Sequence, residues 1–147
     1  MNSTTKLKLE GKFKMKKWLI IAATVLPTLA FLAAGTFKVS GAEEMVQNFQ
    51  KYGLPISLMY FIGLSEIAGA IGLWLKIAPV GGIQLRLLAA LGLSIIMVGA
   101  IASHAIYDPI SMAAPAAVLL AILLFLAHTF RKESAGSHDQ QLGSETA

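Results

Sequence analysis

The chain has 147 residues, 56% of them hydrophobic and 14% charged, and a mean hydropathy of +0.68. This is one domain by size, with a composition outside that of soluble globular domains, so it reads as an integral membrane protein. The absence of cysteine excludes a thiol–disulfide relay, a CxxCH haem attachment, a cysteine-ligated iron–sulfur cluster and any disulfide staple. Six of the twelve basic residues are lysines ahead of the first apolar run, so the net charge of +4 reads as a topology signal and not as a nucleic-acid surface.

Residues 1–17, with Lys6, Lys8, Lys12, Lys14, Lys16 and Lys17 opposed only by Glu10, read as a basic cytoplasmic tail. The first apolar run, Trp18 to Phe37, is long enough to cross a bilayer and carries Pro27, a residue that membrane helices tolerate and that is expected to kink this one. Basic residues before an apolar run also describe a signal peptide, with Ser40-Gly41-Ala42 as a cleavage site. A signal's apolar core is only ~7–15 residues, so the run is read as a retained helix. Lys38 closes it, within snorkelling distance of the interface. In the segment that follows, Met45, Val46, Phe49 and Tyr52 fall at helical spacing and predict a short surface helix.

The second run, Leu54 to Leu75, contains one acid, Glu66, twelve residues from its start and nine from its end. That position predicts a carboxyl group near the bilayer midplane, where a charge costs on the order of 3 kcal/mol and must face protein or a water-filled cavity. Its helical neighbours Ile62, Gly63, Gly69 and Ala70, and the small pair Ser65 and Gly69, suit close approach of another helix. Pro79, Gly81 and Gly82 then predict a tight turn. The third run spans Leu85 to Ile106 and ends in His104, Tyr107, Asp108 and Pro109. His104 and Asp108 are four apart and share a face if the helix persists, whereas Pro109 pushes Asp108 out of helical dihedrals. The fourth run, Ala113 to Phe130, stops at Arg131 and Lys132, and residues 131–147 read as a disordered cytoplasmic tail.

These features predict an all-α membrane protein, a four-transmembrane-helix bundle. Ten basic residues (the six tail lysines, Lys76, Arg86, Arg131 and Lys132) fall on the side of both termini and two, Lys38 and Lys51, on the other, so both termini are expected in the cytoplasm. Lys38, His104 and Asp108 then meet at the outer face. Glu66, roughly 18 Å below the start of its helix, is expected to reach them only through water or a ligand, with Arg86 as an alternative partner from the inner side. His104 and His128 lie near opposite interfaces, about 20 Å or more apart, and cannot share one haem iron. No HExxH, P-loop or GxGxxG pattern occurs, and no metal site is expected.

Over most of Trp18 to Phe130 the chain resembles the DoxX-like family of small four-helix membrane proteins. The matching pieces are AAGTFKVSG, YFIGLSEIAGAIGLWL and SHAIYDP, with Gly35-x-x-Lys38, Gly63-x-x-Glu66 and His104-x-x-x-Asp108-Pro109 in order, followed by an alanine-rich fourth helix. The resemblance implies that Lys38, Glu66 and His104 are the characteristic polar positions. It also implies quinone as the candidate cofactor, since the family takes its name from a subunit linked to quinone-coupled sulfur oxidation. A distant branch is similar to receptor-assembly chaperones of animal membranes.

Three roles follow as expectations. The first is an accessory subunit of a quinone-linked redox system, with another membrane protein as partner. In it Glu66 carries protons, Lys38 stabilises negative charge, His104 bonds a carbonyl or passes protons, and Asp108 orients His104. The second is a non-catalytic assembly factor in which Glu66 only holds helices together. The third is a small transporter, for which a homodimer would have to supply the pathway.

Overall fold

The computed structural model describes residues 3–77 and 83–145. Five α-helices follow one another: α1 (Ser3–Val39), α2 (Glu43–Lys51), α3 (Ile56–Gly72), α4 (Leu85–Tyr107) and α5 (Ala114–Glu145), with a 3-10 turn over Ile110–Ala113. The four longer helices form a closed circuit in which α1 packs on α3, α3 on α4, α4 on α5 and α5 back on α1. Phe31, Leu73, Leu93, Met97, Leu123, Leu126 and Phe130 fill the space between them. Outside that core the surface stays apolar: Trp18, Leu29, Phe61, Ile95 and Ile106 are each more than half exposed. Helices apolar on every side belong in lipid, because water would penalise the outward faces.

Three helical segments are long and apolar enough to cross a membrane, Lys14–Val39, Leu85–Tyr107 and Ile110–Ala135, whereas α3 is a shorter apolar helix. Its expected range of 54–75 contracts at both ends. Pro55 is extended (φ −70°, ψ 143°) and precedes the helix instead of joining its first turn, and after Gly72 the bonds from Trp74 N–H to Ile71 O and from Leu75 N–H to Gly72 O tighten the chain into a turn. The first and last helices outrun their apolar stretches. Helix propagates cheaply once nucleated and lysine is a good helix former, so α1 begins at Ser3 and passes through Pro27 without ending. No proline follows Pro115, and α5 runs on to Glu145 where a disordered tail was expected from residue 131. The turn expected around Pro79, Gly81 and Gly82 lies outside the described residues.

The surface helix is present as α2. It is flanked by two glycines in the left-handed region, Gly41 (φ 68°) and Gly53 (φ 67°), which let the chain turn sharply onto and off it, and Phe49 is its buried anchor. In the bundle itself two other glycines decide the spacing of α1 and α3. A Cβ on Gly35 would lie 2.7 Å from the carbonyl oxygen of Gly63, and one on Gly63 would lie 2.9 Å from the carbonyl oxygen of Gly35. The helices touch backbone to backbone, and no side-chain adjustment can relieve an added methyl group.

Gly35→Ala is therefore expected to lower stability in detergent by about 1–3 kcal/mol through overpacking. Gly92→Ala, with nothing within 4 Å of the new Cβ, is expected to be neutral or slightly stabilising. Thermal unfolding of both variants checks this; equal effects would contradict the close crossing.

Candidate functional site

The backbone contact between α1 and α3 decides where their charged residues meet. The two helices run antiparallel, and each glycine lies against the other helix's charged residue: a Cβ on Gly63 would fall 2.8 Å from Lys38 Cβ, and one on Gly35 would fall 3.3 Å from Glu66 Cβ. Lys38 and Glu66 are thus about one helical turn apart along the bundle, a span that a lysine side chain covers. Its ammonium group donates to both carboxylate oxygens, at 2.8 Å to Oε2 and 3.0 Å to Oε1. The Glu66 side chain is 2% exposed and that of Lys38 14%.

This geometry overturns two expectations. Glu66 needs no water or ligand to reach Lys38, and Lys38 turns inward instead of snorkelling to the interface. Measured along α1, Glu66 stands towards the end of the apolar run. It is level with Gly35, two residues from Phe37 and seventeen from Trp18. The sequence estimate measured depth from the start of the second apolar run, but the first turn of α3 stands beyond the end of α1, where Tyr60 approaches Gly41. Arg86 is not the partner of Glu66 either. It is buried at the other end of the bundle, where it bonds Glu133 and Gln84 and lies 4.4 Å from the Phe130 ring centroid.

The second polar group lies where α2 meets the end of α4. Asp108 leaves the helix in an extended conformation (φ −128°, ψ 166°), as Pro109 requires, yet its Oδ2 remains 2.8 Å from His104 Nδ1. The Tyr52 hydroxyl donates to the same oxygen at 2.6 Å, and Lys51 is ion-paired with the other oxygen. Tyr52 also packs edge-on against His104 and against the ring of Tyr107. These donors, Lys51 first, hold the Asp108 carboxyl well below the usual carboxylate range. Burial, with the hydrogen bond and charge of Asp108 adding to it, pushes the Tyr52 phenol up to about 12. Asp108 is thus the tether that fastens α2 to α4.

Of the four site residues singled out in the sequence, the structure joins Lys38 to Glu66 and His104 to Asp108. Among the described residues no hydrogen bond or ion pair connects the two pairs. Lys51 and Tyr52 were missed as site residues; Tyr52 had been read only as an apolar position of the surface helix. The sign of the first pair was present in the matched spacings Gly35-x-x-Lys38 and Gly63-x-x-Glu66, which on antiparallel neighbours set each glycine against the other's charge.

A bundle of lipid-facing helices with one buried lysine–glutamate pair and a short tethered surface helix defines a small polytopic membrane protein. The sequence profile of the DoxX-like family matches residues 22–126, a stretch that includes both pairs, and the chain belongs to that family. Comparison with curated proteins and with solved structures found no match.

Removing one member of a buried pair leaves the other charge uncompensated. Lys38→Met or Glu66→Leu alone is expected to cost about 3–5 kcal/mol, and the two together much less than the sum. Unfolding in detergent measures the cycle, and additive effects would contradict direct pairing. For Tyr52, a raised phenol pKa means that its tether is fully present below the ordinary value near 10 and is lost as pH rises through about 12. The depressed Asp108 pKa keeps the same tether intact down through the ordinary carboxylate range. The phenolate absorbance that disappears in Tyr52→Phe is expected to titrate near 12; a value near 10 would contradict the tether.

Proposed function

We propose that the protein is an accessory subunit of a quinone-linked redox system, a four-span scaffold with both termini in the cytoplasm. Its own polar pair would serve to hold α1 and α3 together. The observation that carries the scaffold part of this reading is the closure of Lys38 and Glu66 on each other, with both carboxylate oxygens engaged by one ammonium group and the side chain of Glu66 almost wholly buried. A pair so arranged stiffens a helix crossing and offers little to a substrate. The redox side of the reading rests on the family relationship. Counting α3 as the fourth span is supported by its length of 17 residues, about 25 Å of helix, together with the apolar residues Leu54 and Leu73–Leu75 that flank it. The orientation is supported by the crowding of basic residues at the end that holds both termini.

Quinone itself is assigned to a partner. The groove between α3 and α4, of about 440 Å³, is lined by Phe61, Ile62, Ser65, Leu93, Ile95 and Ile96 among other apolar residues. Its one hydroxyl, on Ser65, already donates to the Phe61 carbonyl. A quinone head group needs donors for two carbonyl oxygens, and these residues do not fit it.

A proton-relay role is the second reading, favoured by His104. Its Nδ1 is held by Asp108 while its side chain remains 28% exposed.

Purification from native membranes in mild detergent is expected to recover a complex with a redox-active partner. Glu66→Gln should reduce the amount of complex while leaving quinone-dependent turnover per assembled complex unchanged. Loss of turnover per complex would favour the relay, and a stable partner without redox chemistry would mark an assembly factor.

A further inference from the structure

The two ends of the bundle treat their cations differently. At the α2 end Lys38 is held by Glu66 and Lys51 by Asp108, and α2 itself opens with two exposed acids, Glu43 and Glu44. At the opposite end Arg86 is buried and paired with Glu133. Lys12, Lys14, Lys16 and Lys17 of α1, Lys76 after α3, and Arg131 and Lys132 of α5 are all exposed there, and none of the ion pairs among the described residues uses them.

Helix continuity places these cations at a defined height. α1 passes from Lys17 to Trp18 without a break, and Trp18 is 68% exposed at the first apolar position, where an indole sits at the headgroup level. Lys14 is four residues before Trp18 and lies on its face, so an ammonium group and the indole rise together out of the apolar layer. Arg131 and Lys132 follow directly on the buried Phe130 of α5, which packs against α1. The unpaired cations therefore form a collar around the bundle just beyond the hydrocarbon.

We propose that this collar binds anionic phospholipid, gathering the phosphate groups of an acidic lipid annulus around α1 and α5. The chemistry is charge complementarity at headgroup height: lysine and arginine beside an anionic leaflet are attracted to it strongly, and the attraction is screened within a Debye length. An acidic protein surface would satisfy the same charge, but the ring sits against lipid and next to an interfacial tryptophan, which favours the headgroup. The inference is independent of any redox role.

The test uses the full chain reconstituted in phosphatidylcholine bilayers with a trace of spin-labelled lipid. The motionally restricted fraction is compared between labelled phosphatidylglycerol and labelled phosphatidylcholine. A preference for phosphatidylglycerol of about threefold or more is expected at low salt, falling towards one in molar salt. It is also expected to fall in the variant carrying Lys12→Gln, Lys14→Gln, Lys16→Gln and Lys17→Gln. The α2-end variant Lys51→Gln, which leaves the collar untouched, should retain the preference. A ratio near one in the unaltered protein, or a preference unchanged by the fourfold substitution, would overturn the proposal.

Discussion

A carboxylate among apolar helices is tolerable only when its charge is met at close range, and in this protein that requirement dictates how two helices cross. Glu66 needs Lys38, and Lys38 can reach it because Gly35 and Gly63 bring α1 and α3 into backbone contact. The dependence runs both ways. Without the glycines the side chains would be held apart, and without the pair each helix would carry an unmet charge into the core, a cost that no nearby apolar contact offsets. With α1 fixed on α3, the indole of Trp74 reaches the Thr28 hydroxyl and α4 and α5 complete the circuit.

The same logic of local charge settlement orders the α2 end. Asp108 sits just past the last turn of α4, freed from helical geometry by Pro109, and three side chains from two elements converge on it. A nine-residue helix has little intrinsic stability of its own. What keeps α2 in place is the burial of Phe49 together with this tether. Among the described residues of the opposite end, Arg86 is paired, whereas the exposed lysines of α1 and Arg131 and Lys132 of α5 enter none of the ion pairs. Among the described residues, ion pairs therefore settle the cations of one end and leave most of those at the other without a partner.

Much of the architecture was legible in the sequence because it follows from composition and period. The apolar runs, the amphipathic α2 segment and the four-residue spacing of His104 and Asp108 each have a local cause that can be read residue by residue. Glu66 stood out because an acid in an apolar run is costly wherever it lies. The matched spacings of Gly35 to Lys38 and Gly63 to Glu66 carry a sign of its partner, but relative depth depends on how far one helix slides along another, which counting from a presumed helix start does not yield. The apolar run beginning at Leu54 overstated α3, since Pro55 precedes the helix and Gly72 ends it. The extensions of α1 and α5 were hidden for the converse reason: polar sequence without proline continues a helix that apolar sequence has started.

The contact between Lys38 and Glu66 is the claim on which the rest stands. Its most direct test is the dipolar coupling between the Lys38 side-chain nitrogen and the Glu66 carboxyl carbon in the protein labelled at both sites, measured by solid-state NMR in lipid bilayers. A measurable coupling is expected, as required by ammonium-to-oxygen distances of 2.8 and 3.0 Å. Absence of a measurable coupling would mean that water or a ligand separates the two groups, and would contradict it.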